Sequence, residues 1–145
     1  NKFFLMIRRP PRSTPDYIRR QRQMCIRDRN MARMGVELKG VSSFHGSIAT
    51  KNPAQKGDIK TRIRVFNGAA DPFVKAEQIE ALKAEMKNAG VDFEFINYPD
   101  VKHSFTNPDA DAAGKKFNLP LEYNAAADKD SWQRNLEFYK EIFSR

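Results

Sequence analysis

The sequence is poor in the residues that form cross-links and metal centres. Its 145 residues include one cysteine, Cys25, and two histidines, His45 and His103. A single cysteine excludes an internal disulfide and gives no cysteine-based metal site. Two separated histidines with no partners at ligand spacing also argue against a metal centre. We therefore expect no metal and no cofactor.

Long hydrophobic runs are missing as well. No stretch approaches 18 consecutive apolar residues, which excludes a membrane-spanning helix. The apolar residues 3–7 are too few for a secretory signal, and the basic cluster follows them instead of preceding them. We expect no membrane partner. A cytoplasmic location is favoured, although the sequence determines neither the compartment nor the oligomeric state.

Positive charge is concentrated at the start of the chain. Residues 1–29 hold nine Lys/Arg and two Asp/Glu, whereas residues 30–145 hold 17 basic and 16 acidic residues. Three prolines by residue 15 oppose a helix in the basic segment. Residues 5–14 and 24–28 resemble translated sequencing-adapter DNA. We expect residues 1–29 to be a non-native or disordered basic leader, and residues 30–145 to fold.

The folded part has an α/β pattern. Short apolar runs predict three strands, at residues 38–44, 61–67 and 91–98. Apolar side chains at steps of three or four predict a helix over about residues 73–89, stopped by Gly90, and a second over about residues 125–143. In the last helix Trp132, Leu136, Tyr139 and Phe143 form a stripe that we expect in the core. Between the helices we expect a short turn and a proline-containing connection. The alternation around Glu94 predicts an edge strand.

An acid and a base follow two of these strands. Asp71 lies in Gly68-Ala69-Ala70-Asp71-Pro72, after the second strand, and His103 follows the third. A crossover helix brings the carboxyl ends of parallel strands to one edge of the sheet, so the two side chains can meet. An Asp–His pair orients a general base. An acid before the histidine fits the α/β-hydrolase order of nucleophile, acid and histidine.

Each of these residues also has a simpler interpretation. Asp-Pro is common in turns, so Asp71 can serve only to shape one. His103 can be a surface residue of a loop. His45 ends the first strand at this edge, where it either lines the pocket or makes a structural hydrogen bond, and we do not count it as catalytic.

The motifs around Asp71 and His103 resemble those of the dienelactone hydrolase family. The resemblance runs from about Ala32 to the end of the chain and includes His103-Ser104-Phe105 and residues 39–46, 105–110, 123–124 and 131–132. It implies cleavage of esters or lactones through a Cys–His–Asp triad and an acyl-enzyme, with Asp71 as the acid and His103 as the base. We therefore expect residues 30–145 to be the C-terminal half of an α/β-hydrolase sandwich, with about three parallel strands and flanking helices.

The nucleophile expected from this resemblance is not found. The family carries it in a Gly-x-Cys-x-Gly elbow, and the sequence has no such motif. Cys25 has Met24 and Ile26 beside it and no flanking glycine. Counting back about eleven residues from Arg33 places the expected nucleophile near Arg22. We therefore expect this chain to be an inactive fragment of a hydrolase.

A second departure concerns the substrate. Where the family has an arginine four residues after the histidine, this chain has Asn107, which cannot replace a guanidinium that holds a carboxylate. We expect a small-molecule ester or lactone as the partner of the parent enzyme, and no nucleic acid. Two alternatives remain: a basic nucleic-acid-binding module that uses Arg8 to Arg29, and a hydrolase-like fragment that needs a separate N-terminal chain.

Overall fold

The computed structural model describes residues 29–144, which form a parallel sheet with helices against it. The strands are β1 (Gly40–Phe44), β2 (Arg62–Gly68) and β3 (Phe93–Tyr98). The helices are α1 (Ala76–Ala89), α2 (Ala110–Phe117) and α3 (Ala125–Phe143). Residues 29–33 are also helical. The predicted leader lies outside the described residues apart from Arg29, which is buried.

The sheet order is β1-β2-β3, and both pairs are parallel. Phe44 lies opposite Phe66 and Gly68 lies opposite Tyr98, so the strands end at one edge of the sheet. The side chains of β3 are exposed or only partly buried, which confirms the predicted edge position. Between residues 29 and 144 no fourth strand pairs with β1. None of the described helices is apolar enough over a sufficient length to cross a membrane.

Apolar side chains cover both faces of the sheet. On one face Ile63 and Val65 pack in a cluster with Leu82 and Met86 of α1. On the other face Phe66 packs with a smaller cluster that includes Val101, Phe105 and Ala127. The alternation of side chains along β2 produces this division, because successive residues of a strand point to opposite faces. The second cluster includes Val101 and Phe105, which lie two residues before and after His103 in its loop.

Helix α1 begins three residues later than predicted, at Ala76. The residues before it form a turn in which the Asp71 carboxylate accepts a hydrogen bond from Phe73 N at 2.8 Å, and Val74 N donates to Asp71 O at 3.2 Å. These bonds close a turn, and Lys75 after it has an extended backbone with φ of −81° and ψ of 151°, so the helix starts only at the next residue. The helix ends as predicted at Gly90, whose φ of 72° is accessible to glycine at little cost.

Helix α3 has the predicted bounds but buries a different face. The prediction that its aromatic stripe lies in the core is wrong, because Trp132, Leu136 and Phe143 are 37%, 44% and 48% exposed. The buried residues of the helix are Ala127, Asp128, Ser131, Asn135, Phe138 and Ile142. Two interleaved stripes therefore run along this helix, and its periodicity alone does not show which one meets the sheet.

A close approach between α3 and the sheet determines which of the two stripes is buried. Gly40 has no Cβ, and a Cβ at this position would lie 2.8 Å from both Phe138 and Ile142. The guanidinium carbons of Arg62 and Arg64 lie 5.6 and 4.9 Å from the centre of the Phe138 ring. Phe138 therefore faces the sheet because a glycine makes room for it and two cations favour its π face.

Helix α2 was not predicted from the sequence, and it lies between the short turn expected from Asn107 and the connection expected over residues 118–123. It is only eight residues long, contains Gly114, and ends at Asn118 with φ of 50°. Glycine lowers helix propensity, so the sequence pattern did not predict a helix here. Gly114 is nevertheless required here, since a Cβ would lie 2.8 Å from Leu121 O.

A buried ion pair ties the helical residues 29–33 to α1. Arg33 Nε and Nη2 donate to the two carboxylate oxygens of Glu85 at 2.7 and 2.8 Å, and Ala54 N donates to Glu85 Oε1 at 2.9 Å. The side chains of Arg33 and Glu85 are 8% and 5% exposed. Burial alone would raise the pKa of Glu85, but the hydrogen bonds from Arg33 and Ala54 outweigh it and lower the pKa.

We expect Glu85→Gln to lower the free energy of unfolding by about 3 kcal/mol, because it leaves the buried guanidinium of Arg33 without its counter-ion. The matched control is Glu80→Gln, which breaks the exposed pair with Lys83 and should cost less than about 0.5 kcal/mol. Urea unfolding followed by circular dichroism measures both. Equal costs for the two variants would contradict a structural role for the buried pair.

Candidate active site

Asp71 is positioned by a turn that packs tightly against the neighbouring loop. Ala69 N donates to Tyr98 O at 2.8 Å, and Ala70 N donates to Val101 O at 3.0 Å. A Cβ on Gly68 would overlap the carbonyl oxygen of Val101. Only glycine at this position lets the chain after β2 approach the chain after β3 so closely. This approach brings Asp71 to the loop that carries His103.

His103 is held by its backbone as well as by its side chain. Its carbonyl oxygen accepts a hydrogen bond from Glu122 N at 3.2 Å, and the residue forms an isolated parallel bridge with Leu121. Asp100 and Ser104, on either side, have φ of 56° and 64°. Such values are uncommon for residues other than glycine, so the loop is tightly constrained.

The structure brings Asp71 and His103 together. Asp71 Oδ2 lies 2.7 Å from His103 Nδ1, and the two residues are 3% and 5% exposed. The other carboxylate oxygen accepts from Phe73 N, so both oxygens are engaged. With Asp71 ionised, Nδ1 donates to it and carries the proton, which leaves Nε2 of a neutral ring as a base. The Phe73 ring meets the His103 ring edge-on at 5.1 Å.

His45 lies beside this pair, although we did not count it as catalytic. Its ring centre is 5.4 Å from that of His103 in a T-shaped contact, and His45 Nε2 lies 2.9 Å from Thr106 Oγ1. Burial, and next the charge of His103, lower the pKa of His45 to about 3, against a smaller opposing effect of Asp71. His45 is therefore neutral at physiological pH. The structural hydrogen bond considered from the sequence is present, and His45 lies at the same edge of the sheet as His103.

Other residues named from the sequence have local roles or lie outside this region. Asn107 Oδ1 accepts a hydrogen bond from Asp109 N at 3.1 Å, so its side chain closes a turn. Cys25 and Arg22 lie outside the described residues. Within residues 29–144 no three His, Cys, Asp or Glu side chains group as metal ligands.

The contacts of Thr106 and Phe73 were missed by sequence reasoning. Thr106 is 61 positions from His45, and no spacing rule links the two residues. Phe73 contributes its backbone N–H, which any residue other than proline can supply. The only available signal was the Asp-Pro step, because Asp side chains commonly accept from the backbone two residues later.

The parallel sheet, with its acid after β2 and its histidine after β3, defines an α/β protein of the hydrolase type. The profile of the dienelactone hydrolase family matches residues 29–143, and the chain belongs to this family.

Relatives in sequence include an uncharacterized protein of Caenorhabditis elegans, K02A2.1, which is 34% identical over 109 residues. A putative carboxymethylenebutenolidase of Escherichia coli K12 is 28% identical over 113 residues. These matches cover 74% and 72% of this chain, and 66% and 38% of the respective relatives.

Solved structures of two proteins are similar to this chain in fold and in sequence. A dienelactone hydrolase-like promiscuous phosphotriesterase from metagenomic libraries superimposes with a TM-score of 0.67 at 31% identity, over 77% of this chain. The protein m3DLH superimposes with a TM-score of 0.70 at 34% identity, over 78% of this chain. The chain covers 46% of each of these two proteins, so it spans less than half of their length.

We expect the free energy of unfolding to fall by about 2 kcal/mol between pH 6.5 and 4.5 through His45 alone. The unfolded chain binds a proton at His45 in this range, with the ordinary pKa of 6.5, whereas the folded chain binds it only near pH 3. The unfolded state therefore holds more protons, and stability rises with pH across this window.

Urea unfolding at several pH values measures this dependence. His45→Phe should reduce the loss of stability between pH 6.5 and 4.5 by about 2 kcal/mol and leave the smaller loss from carboxyls such as Glu85, whose pKa is lowered in the folded chain. The control Lys51→Gln, at an exposed position, should keep the full loss. If the free energy of unfolding changes with pH by the same amount in His45→Phe as in the unmodified chain, His45 is not buried in its neutral form.

Proposed function

We propose that Asp71 and His103 are the acid and the base of a Cys–His–Asp triad in an enzyme that cleaves ester or lactone bonds. The observation that carries this proposal is the buried 2.7 Å contact between Asp71 Oδ2 and His103 Nδ1. Membership of the dienelactone hydrolase family supports it. A carboxylate on Nδ1 holds the ring in the tautomer whose Nε2 accepts a proton.

The proposed reaction uses this nitrogen twice. Nε2 takes the proton of the cysteine thiol as the sulfur attacks the acyl carbon, and returns it to the alkoxide as the ester C–O bond breaks. Water then attacks the thioester with the same nitrogen as base, which releases the carboxylic acid and restores the thiol. The imidazolium formed in each half-reaction is stabilised by the Asp71 carboxylate.

The nucleophile lies outside residues 29–144, which contain no cysteine. Cys25 lacks the flanking glycines of a nucleophile elbow, so we propose that the chain in its present form lacks covalent catalysis. A hydrolase-like fragment that is completed by a separate N-terminal chain is compatible with this proposal. The nucleic-acid hypothesis depends on residues 8–29, of which Arg29 alone is described and is buried.

The substrate that we propose is an ester or lactone without a carboxylate next to Asn107. The amide oxygen of Asn107 accepts a hydrogen bond from Asp109 N, and this position carries no guanidinium group. Lys102, the lysine or arginine nearest to Asn107 in sequence, is paired with Glu122 at 2.7 Å. A substrate carboxylate would therefore lack the bidentate donor that an arginine provides.

The full chain of 145 residues should show neither burst nor turnover with p-nitrophenyl acetate beyond that of a free imidazole, since it has an acid and a base but no activated nucleophile. Stopped-flow absorbance of the released nitrophenolate tests this. A stoichiometric burst that disappears in His103→Ala would contradict the proposed inactivity.

A chimera tests the roles of Asp71 and His103 directly. Residues 29–143 would replace the matching segment of m3DLH, so that the remainder of that protein supplies the rest of the fold. We expect ester hydrolysis by the chimera, with kcat/KM lowered about 10²–10⁴-fold by His103→Ala and to a similar extent by Asp71→Asn.

Lys102→Gln is the matched control for the chimera, because Lys102 is adjacent in sequence but exposed. It should leave kcat/KM within about twofold, the size of effect expected of a surface charge. A folded and active chimera whose activity survives both Asp71→Asn and His103→Ala would show that the pair is not catalytic.

A further inference from the structure

We propose that His45 is a positioning residue, which fixes the segment from His103 to Thr106 through its hydrogen bond to Thr106 and so keeps His103 Nδ1 on Asp71. This inference rests on the proposed roles of Asp71 and His103. It assigns a function to the imidazole of His45, which the triad itself does not use.

His45 is itself firmly attached to the sheet. It directly follows β1, and its backbone N–H donates to Phe66 O at 2.8 Å, which extends the pairing of β1 with β2 by one residue. The residue is 5% exposed and has φ of 37°. The left-handed backbone is costly for a residue with a Cβ, and it turns the ring away from the strand direction toward the His103 loop.

The ring then contacts three of the four residues in the segment. It meets the His103 ring at 5.4 Å with an interplanar angle of 70°, and the Phe105 ring at 5.4 Å with an angle of 82°. Its Nε2 lies 2.9 Å from Thr106 Oγ1. Ser104, the fourth residue, has φ of 64°. The imidazole of His45 thus contacts residues on both sides of Ser104.

The ring contacts alone do not require a histidine. A phenyl ring would fill the same space and would avoid burying two polar nitrogens, which is costly unless they are hydrogen-bonded. The property specific to the imidazole is its bond to Thr106, formed while the ring stays uncharged. Because burial and the charge of His103 lower the pKa of His45 to about 3, the ring that faces His103 is uncharged at neutral pH. The groups facing His45 are His103, Asp71 and the Thr106 hydroxyl.

Nuclear magnetic resonance of the full chain with ¹⁵N-labelled histidine tests this inference, because the chain has two histidines and hence two imidazoles. Long-range ¹H–¹⁵N spectra report which nitrogen of His103 carries the proton, and saturation transfer from water reports how fast the Nδ1 proton exchanges. The unmodified chain should show His103 as a single Nδ1–H tautomer with slow exchange.

The variants separate the hydroxyl from the shape of the side chain. Thr106→Val removes the hydroxyl at nearly constant size, and Thr106→Ser keeps it. We expect exchange of the His103 Nδ1 proton to be about tenfold faster in Thr106→Val and in His45→Phe, the effect of losing one hydrogen bond, and to return toward the original rate in Thr106→Ser. Thr50→Val is the control, since the Thr50 hydroxyl bonds only within its own turn, to Asn52.

The outcomes distinguish this inference from the proposed function. If Thr106→Val and His45→Phe keep the native backbone spectrum and leave the tautomer and exchange rate of His103 unchanged, the positioning role is overturned while the Asp–His pair stands. If Thr106→Ser is as perturbed as Thr106→Val, the hydroxyl is not the cause, which also overturns it. If His103 of the unmodified chain carries its proton on Nε2, the pairing with Asp71 fails, and the proposed function fails with it.

Discussion

The parallel pairing of β2 with β3 places Gly68 opposite Tyr98, and this register is the constraint on which the site depends. The loops that leave the two strands are adjacent from their first residues, and the missing side chain of Gly68 lets them touch through backbone hydrogen bonds. Asp71 and His103 therefore meet through the backbone geometry of two strand ends. A displacement of one residue in this register would move the acid by the length of one residue, more than a hydrogen bond tolerates.

Polar groups are buried here in two different ways. Glu85 is buried, but both of its carboxylate oxygens accept hydrogen bonds, from Arg33 and from Ala54 N. These bonds stabilise its charge away from water. Around His103 the burial is shared by three side chains. Both carboxylate oxygens of Asp71 are engaged, one of them by His103, and His45 is uncharged at neutral pH because burial and the charge of His103 lower its pKa.

The fold allows different segments of a chain to carry different functional groups of one site. In an α/β sheet, catalytic groups collect at the carboxyl ends of several strands, so one segment can carry the acid and the base while another carries the nucleophile. The described residues carry the Asp71–His103 pair at the carboxyl ends of β2 and β3, and the outer edge of β1 has no strand partner among them. The exposed Trp132, Leu136 and Phe143 show that the apolar surface of this segment is not all enclosed by its own residues.

The sequence by itself determined the order and type of the main elements, because the periodicities of strands and helices are local properties. The end of helix α1 at Gly90 is local as well. It also predicted that Asp71 and His103 meet, since each lies in the loop that follows a parallel strand. Tertiary structure decided which stripe of α3 is buried, because the choice depends on Gly40 and two arginines that lie far from the helix in sequence. It also decided the contact of His45 with Thr106, which joins loops 61 positions apart. Local patterns carry no information about such pairs, because the relative placement of strands and loops brings them together.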